Sequence, residues 1–319
     1  MSTHHVLIIE KLMEKGFEAV YVGGCVRDKL RGAAPDDYNI ATNATPEQIT
    51  EIFDSSLIDE VEKNVGVMLV DGIDVATYRS DIYHKAGKPE VKLVGTFFQD
   101  STRRDFTINA MAETVDGTII DHHKGRQDLN KKLIRAVWNP LHRFIEDPSR
   151  ILRGMYLAAK LSFTIEKRTL QAMKDSVRLL ETIPNERIAK ILRKVMKNNC
   201  LHRFMELLME TGALKYVFPE LIHTVGMSQN IKCNGYDHIL RVVKAVEKRY
   251  SGDTILQLAA LFQDMRATTH EGEPHDLRLE ESAITLADQA LVIENIQNTE
   301  MIKKRLIKGQ DIFVKFQTA

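Results

Sequence analysis

The run Asp36-Asp37-Tyr38-Asn39-Ile40-Ala41-Thr42 sets two oxygen-bearing side chains, Asp37 and Asn39, two residues apart. On a strand such positions point to one face, the spacing with which paired carboxylates hold two Mg²⁺ ions for phosphoryl transfer. Here the second position is an amide, whose oxygen can ligate a hard cation but brings no charge. Just upstream, Tyr21-Val22-Gly23-Gly24-Cys25-Val26-Arg27-Asp28 runs from an apolar strand through two glycines into a helix that opens with charge. Glycines let backbone N–H groups approach an anion, and a helix start adds a favourable dipole; alone, such a pair is more often a tight turn. Further on, Asp147 and Arg150 lie three apart on a predicted helix and so share a face. A carboxylate beside a guanidinium presents an acceptor next to several donors. Cytosine and adenine offer an amino donor beside a ring-nitrogen acceptor, and uracil and guanine the reverse. An Asp-Arg pair can therefore tell C and A from U and G, although the same spacing equally makes an intrahelical salt bridge.

The elements that position these residues are of two kinds. Residues 1–137 read as mixed α/β. An amphipathic helix (Val6, Ile9, Leu12, Met13) is followed by strands at Ala19–Val22, Tyr38–Ala41, Val65–Val70, Asp74–Tyr78, Val91–Val94 and Thr118–Asp121, with hairpin turns at Asp71-Gly72 and Asp116-Gly117. After Pro140 the pattern becomes helical: Pro148–Leu161, Lys167–Leu180, Asn185–Met196, Phe204–Thr211, Tyr236–Arg249, Thr254–Asp264 and Leu277–Ile296. The spacing thus predicts an α+β chain, a small mixed sheet with helices followed by an all-α array.

Composition sets the bounds. The 319 residues balance 44 Lys+Arg against 44 Asp+Glu, with 44% hydrophobic and 28% charged, which excludes wholesale disorder. Cys25, Cys200 and Cys233 form no CxxC pair, so neither a disulfide framework nor a zinc ribbon is expected, and a reducing, cytoplasmic setting fits. No run approaches the roughly 20 apolar residues of a membrane span, and no membrane partner is expected. From Asn139 to Lys215, however, 15 Lys and Arg stand against 8 Asp and Glu, an excess that suits a phosphate-rich partner or a solvated helical face.

The block Ser101-Thr102-Arg103-Arg104-Asp105-Phe106-Thr107-Ile108-Asn109-Ala110-Met111-Ala112 brings a resemblance with it. Together with residues 23–28, 37–39, 146–153 and 186–192, it closely resembles, in order and spacing, the class II tRNA nucleotidyltransferase and bacterial poly(A) polymerase family. The resemblance covers roughly residues 15–230 and implies a polymerase-β-like nucleotidyltransferase head (1–138), a helical neck that selects the base (139–200) and a helical, tRNA-binding body with a short or truncated tail (201–319). It implies metal ligation by Asp37, with Asn39 standing in the second carboxylate's place and Asp74 as a further acid on an adjacent strand. Gly23, Gly24, Arg27 and Asp28 would cradle the triphosphate. Arg103, Arg104, Asp105 and Asn109 carry over as nucleotide contacts, one arginine having the alternative of an ion pair with Asp105. Base selection falls to Asp147 and Arg150, continued by Arg153, while Tyr156 stands where the family commonly has another arginine.

Arg79–Pro89 resembles the flexible loop of members that add CCA or A. Leu306–Ile312 resembles the start of a tail block. Implied partners are CTP, ATP and the tRNA 3′ end, with Mg²⁺ as cofactor and with Lys190, Arg193 and Lys194 against RNA phosphates. The expected activity is template-independent addition of C and A. Poly(A) synthesis, partial A-only or CC-only addition, and a tRNA-binding protein silenced at Asn39 are the alternatives. An HD-type hydrolase, suggested by Tyr236–Leu240 and Ala259–Asp264, is set aside because Gln263 replaces the central imidazole of its metal site.

Overall fold

The computed structural model describes residues 4–62, 66–226, 228–230 and 233–262. The elements are α1 (His4–Glu14), β1 (Ala19–Val22), α2 (Gly24–Leu30), β2 (Asn39–Thr42), α3 (Pro46–Ile52), β3 (Ile58–Glu62), β4 (Val67–Val70), β5 (Ile73–Thr77), β6 (Arg79–Lys85), β7 (Lys88–Leu93), α4 (Phe97–Thr102), β8 (Met111–Glu113), β9 (Ile119–Asp121), α5 (Gly125–Asn130), β10 (Leu133–Ile134) and α6 (Pro140–Glu146). There follow α7 (Ser149–Leu161), β11 (Thr164–Ile165), α8 (Lys167–Ser176), α9 (Asn185–Lys197), α10 (Leu201–Thr211), α11 (Leu214–Val217), β12 (Ser228–Asn230), β13 (Cys233–Asn234), α12 (Gly235–Arg249) and α13 (Thr254–Phe262). Two units result, one of Met1–Arg150 with Thr164–Ala172, the other of Ile151–Phe163 with the residues from Met173 on.

The first unit is built on a seven-stranded sheet in the order β3-β4-β5-β2-β1-β8-β9. Only β2 and β5 run parallel; every other neighbouring pair is antiparallel. All four residues of β1 are buried, and Val20 and Val22 pack with Ala41, Tyr78, Phe97 and Ala112. An apolar run without alternation is what a strand covered on both faces requires. The turn between β4 and β5 uses Asp71 and Gly72 at φ 48° and 74°, the two left-handed positions of a tight hairpin. Helix α3 starts at a capping box, in which the Thr45 hydroxyl accepts from the Gln48 N–H and the Gln48 side chain accepts from the Thr45 N–H.

Gly125 opens α5 where its Cα lies against the Thr107 carbonyl and the Met111 side chain, leaving no room for a Cβ. Because a backbone oxygen cannot swing aside, Gly125→Ala is expected to destabilise the chain by about 1–3 kcal/mol. Urea unfolding checks this, and an unchanged midpoint would show that the two segments part easily.

Several expectations are revised. Arg79–Pro89 is not an irregular loop but most of an antiparallel ribbon, in which β6 and β7 pair from Arg79↔Leu93 to Lys85↔Lys88. Its strand signal is hidden because charged residues hold positions that face inward: the Asp81 side chain is 5% exposed and pairs with Arg79 at 3.2 Å. The helix read as Lys167–Leu180 ends at Ser176 and continues as a 3₁₀ turn over Val177–Thr182. Strand β8 begins inside the block read as a motif and runs one residue past it.

The second unit is helical, with α9, α10, α12 and α13 contributing Leu192, Met196, Phe204, Leu208, Ile239, Val243 and Leu261 to its core. Two of its buried polar side chains are tied to backbone: the Tyr236 hydroxyl donates to Met205 O at 2.9 Å and Gln257 Nε2 to Met196 O at 3.1 Å. The helix read at Leu277–Ile296 and the tail-like run Leu306–Ile312 lie outside the described residues.

Candidate active site

Asn39 is the first residue of β2, and Asp37 lies two residues before the strand. The parallel strand β5 sets Asp74 in register with Asn39, so the Asp74 carboxylate and the Asn39 amide project from one face of the sheet. Asp37 and Asp74 are exposed and Asn39 is half-buried. Two carboxylates and an amide oxygen make an all-oxygen donor set suited to a hard divalent cation, with one charge fewer than three carboxylates would bring. Among the described residues no group of three or more His, Cys, Asp or Glu side chains forms a metal site. Tyr38, between the two donors, stacks on His5 with ring centroids 3.9 Å apart, and the His5 ring nitrogen lies 2.7 Å from the Tyr21 hydroxyl. Helix α1 thereby braces the lead-in from behind.

The Gly23-Gly24 turn stands at the end of β1 with Gly23 at φ 79°, and its N–H donates to Met111 O at 3.3 Å. Two guanidinium groups cover it. A Cβ on Gly23 would sit 3.6 Å from Arg104 Nη1, and one on Gly24 3.6 Å from Arg27 Nη2. Arg27 is buried and oriented by a fork: Nε and Nη2 donate to the two Asp28 carboxylate oxygens at 2.9 and 2.6 Å, while Nη1 donates to Asn109 Oδ1 at 2.8 Å. Thus Asp28 and Asn109 hold Arg27 rather than facing outward themselves.

Arg103 and Arg104 share one carboxylate, and it is not that of Asp105. Arg103 Nη2 pairs with Asp100 Oδ1 at 2.8 Å and Arg104 Nη2 with Asp100 Oδ2 at 2.8 Å, the Asp100 side chain being 1% exposed. Burial alone would push the Asp100 carboxyl up, but Arg104 and Arg103 hold it below its ordinary range. Asp105 instead accepts the Phe106 N–H at 2.8 Å. Asp100 is the residue that sequence reasoning missed; its spacing of three and four from the arginines, across the end of α4, was the available signal.

Asp147 and Arg150 do not share a helix face. Asp147 ends α6 and caps α7, where its Oδ1 accepts from the Ser149 N–H and hydroxyl at 3.1 and 2.8 Å. Arg150 is buried. Its Nη1 donates to Glu146 and to Arg143 O, and its Nη2 to Arg103 O and the Tyr83 hydroxyl. Pro148 is the physical reason, since the residue before a proline is steered away from helical geometry. Arg153 is exposed on α7, and Tyr156 accepts from Asn198 Nδ2 at 3.2 Å. On α9, Lys190 and Lys194 are exposed one turn apart with Arg193 half-buried beside them.

A mixed sheet with donors at the ends of parallel neighbours, beside a glycine turn covered by arginines, is the head of a nucleotidyltransferase. Residues 19–135 match the Poly A polymerase head domain, and residues 162–224 match a probable RNA- and SrmB-binding site of polymerase A. A CCA-adding enzyme of Lactococcus lactis is 40% identical over 221 residues, 67% of this chain and 55% of that protein. One from Staphylococcus epidermidis is 36% identical over 216 residues, 66% of this chain and 54% of that protein. The chain therefore spans about half the length of the curated relatives it matches. Among solved structures, the Bacillus stearothermophilus CCA-adding enzyme in complex with CTP superposes with a TM-score of 0.70 at 26% identity, over 97% of this chain and 82% of that one. The Thermotoga maritima enzyme complexed with tRNA shares the fold at a TM-score of 0.61 and 20% identity, over 97% of this chain and 81% of that one. This chain belongs to the class II tRNA nucleotidyltransferase and bacterial poly(A) polymerase family, whose members work with a divalent metal. No described helix is long and apolar enough to cross a membrane.

Proposed function

We propose that this chain adds C and A, without a template, to the 3′ end of tRNA from CTP and ATP with Mg²⁺, in the cytoplasm. The observation that carries this reading is the register of Asn39 with Asp74 on parallel β2 and β5, with Asp37 two residues before β2, in the head whose glycine turn lies under Arg27 and Arg104. Likeness to CCA-adding enzymes supports the choice of substrates. In the reaction the terminal 3′ hydroxyl attacks the α-phosphorus and pyrophosphate leaves. Asp37 and Asp74 would hold the Mg²⁺, which when bound supplies positive charge against the triphosphate. Arg104 and Arg27 stand over the turn, where fixed positive charge orients phosphate oxygens at no further reorganisation. The division into a catalytic head (1–138), a base-selecting neck (139–200) and an RNA-holding body (201–319), with Lys190, Arg193 and Lys194 toward phosphates, belongs to the same proposal. So does base selection by Asp147 and Arg150, for which Arg150 must exchange some of its present partners for the base edge.

Incubation with a tRNA ending at its discriminator base and with each nucleotide singly tests the activity. CTP alone should add two residues, and ATP one more after C addition. Long A tails would make the chain a poly(A) polymerase, and no incorporation at all would make it a silenced binder.

Asn39→Asp restores the missing charge and is expected to raise single-turnover incorporation with Mg²⁺ on the order of tenfold, about 1.4 kcal/mol in the barrier. Equal rates for parent and variant would show that the amide serves as well as a carboxylate.

A further inference from the structure

Trp138 is the chain's single tryptophan and is 69% exposed. An indole left so far in water is uncommon, and this one is also held at φ 62°, a left-handed conformation that bulky residues rarely adopt. Its backbone is fixed on both sides. The Val137 N–H donates to Asp105 O at 3.0 Å, tying Trp138 to the Arg103-Arg104-Asp105 block, and the Asn139 side chain caps α6 by accepting from Leu141 and His142 N–H groups. The His123 ring lies 6.5 Å from the indole and is itself anchored, its Nε2 being 2.9 Å from the Ser101 hydroxyl. The surroundings are basic. From Asp121 to Arg143 the chain has six Lys or Arg against two acids: Asp121, which caps the His123, Gly125 and Arg126 N–H groups, and Asp128, which is buried and paired with Arg135 at 3.0 Å; Arg143 pairs with Glu146. Lys124, Arg126, Lys131 and Lys132 are exposed.

A rigidly presented aromatic face, with exposed cations on nearby segments of the chain, is the combination that single-stranded nucleic acid recognises: bases stack on the ring while phosphates meet the cations. We propose that Trp138, with His123 beside it, is a stacking platform for an unpaired base of RNA bound at the head, with the flanking phosphates on Lys124, Arg126, Lys131 and Lys132. The proposal rests on the reading of the chain as an enzyme that acts on RNA, and places an RNA subsite in the head in addition to the basic face of α9.

Because Trp138 is the only indole, its emission reports the site directly. Titration of the full chain with a single-stranded hexaadenylate should quench that emission saturably, whereas a blunt duplex of equal length should quench it weakly. Binding measured by anisotropy of a labelled hexamer should weaken about tenfold or more in Trp138→Ala and much less in Trp138→Phe, which keeps a ring to stack. Lys131→Gln with Lys132→Gln should make the salt dependence shallower by up to about two in the logarithmic slope. Unchanged emission at saturating hexamer, or parent-like affinity in Trp138→Ala, would overturn the proposal. So would a blue shift on raising protein concentration without RNA, which would assign the ring to a contact with a second copy. Incorporation onto tRNA is followed in parallel: incorporation without quenching removes only the platform, and quenching without incorporation removes only the enzymatic reading.

Discussion

Asp37→Ala is expected to lower nucleotide incorporation by about three orders of magnitude or more while leaving the melting temperature nearly unchanged. Asp37 is exposed on the lead-in to β2 and contributes nothing to the core, so its loss removes charge from the donor set without opening a cavity. In the proposed site the effect is expected to exceed that in a site with three carboxylates, because an amide at position 39 leaves Asp37 and Asp74 as its anionic oxygens. Single-turnover incorporation beside a thermal melt checks both halves. A loss of less than tenfold would mean that Asp37 is not a ligand.

Asp100→Ala is expected to act the opposite way, on the fold first. Its carboxylate is nearly inaccessible and holds Arg103 and Arg104 together, so removal leaves two largely buried guanidinium groups facing each other. Breaking a buried pair from one side costs about 3–5 kcal/mol, and the released Arg104 would also leave its place above Gly23. The pH dependence follows from the depressed folded-state value. Stabilisation by this group is complete above the unfolded-state pKa of about 3.9 and is lost as pH falls through the lower folded-state value. Asp100→Asn should therefore lose the part of acid sensitivity that sets in below about pH 4. Urea unfolding at neutral and acid pH measures it, and a loss under about 1 kcal/mol would show that the arginines find other partners.

The strands that frame the donors were legible because their patterns were unambiguous. Ala19–Val22 is uniformly apolar, and Asp71-Gly72 has the chemistry of a two-residue turn, so β1 and the β4–β5 hairpin fall where expected. The adjacency of Asp74 to Asn39 followed only from family resemblance, since strand pairing across an intervening crossover is not written in local periodicity. Asp81 and Arg79 concealed β6 because a buried ion pair reads as surface polarity. Asp147 falls off the helix of Arg150 for a different reason. Helical spacing was counted through Pro148, although a proline there breaks the helix at the residue that matters. What local sequence left open was which of several nearby carboxylates each arginine takes: Arg103 and Arg104 pair with Asp100 rather than Asp105, Arg27 with Asp28, and Arg150 with Glu146 rather than Asp147.

The first unit is not contiguous, and this has a consequence for how the chain is made. Its strand β10 pairs in parallel with β11, the Ala136 N–H donates to the Thr169 hydroxyl at 3.2 Å, and Arg135 lies 3.4 Å from Glu166. When Leu133 and Ile134 leave the ribosome, the segment that completes them, Thr164 and Ile165, has not yet emerged. The catalytic sheet thus has all its strands long before the unit is closed, with an open edge and an unsatisfied Ala136 amide, until translation has passed Ala172.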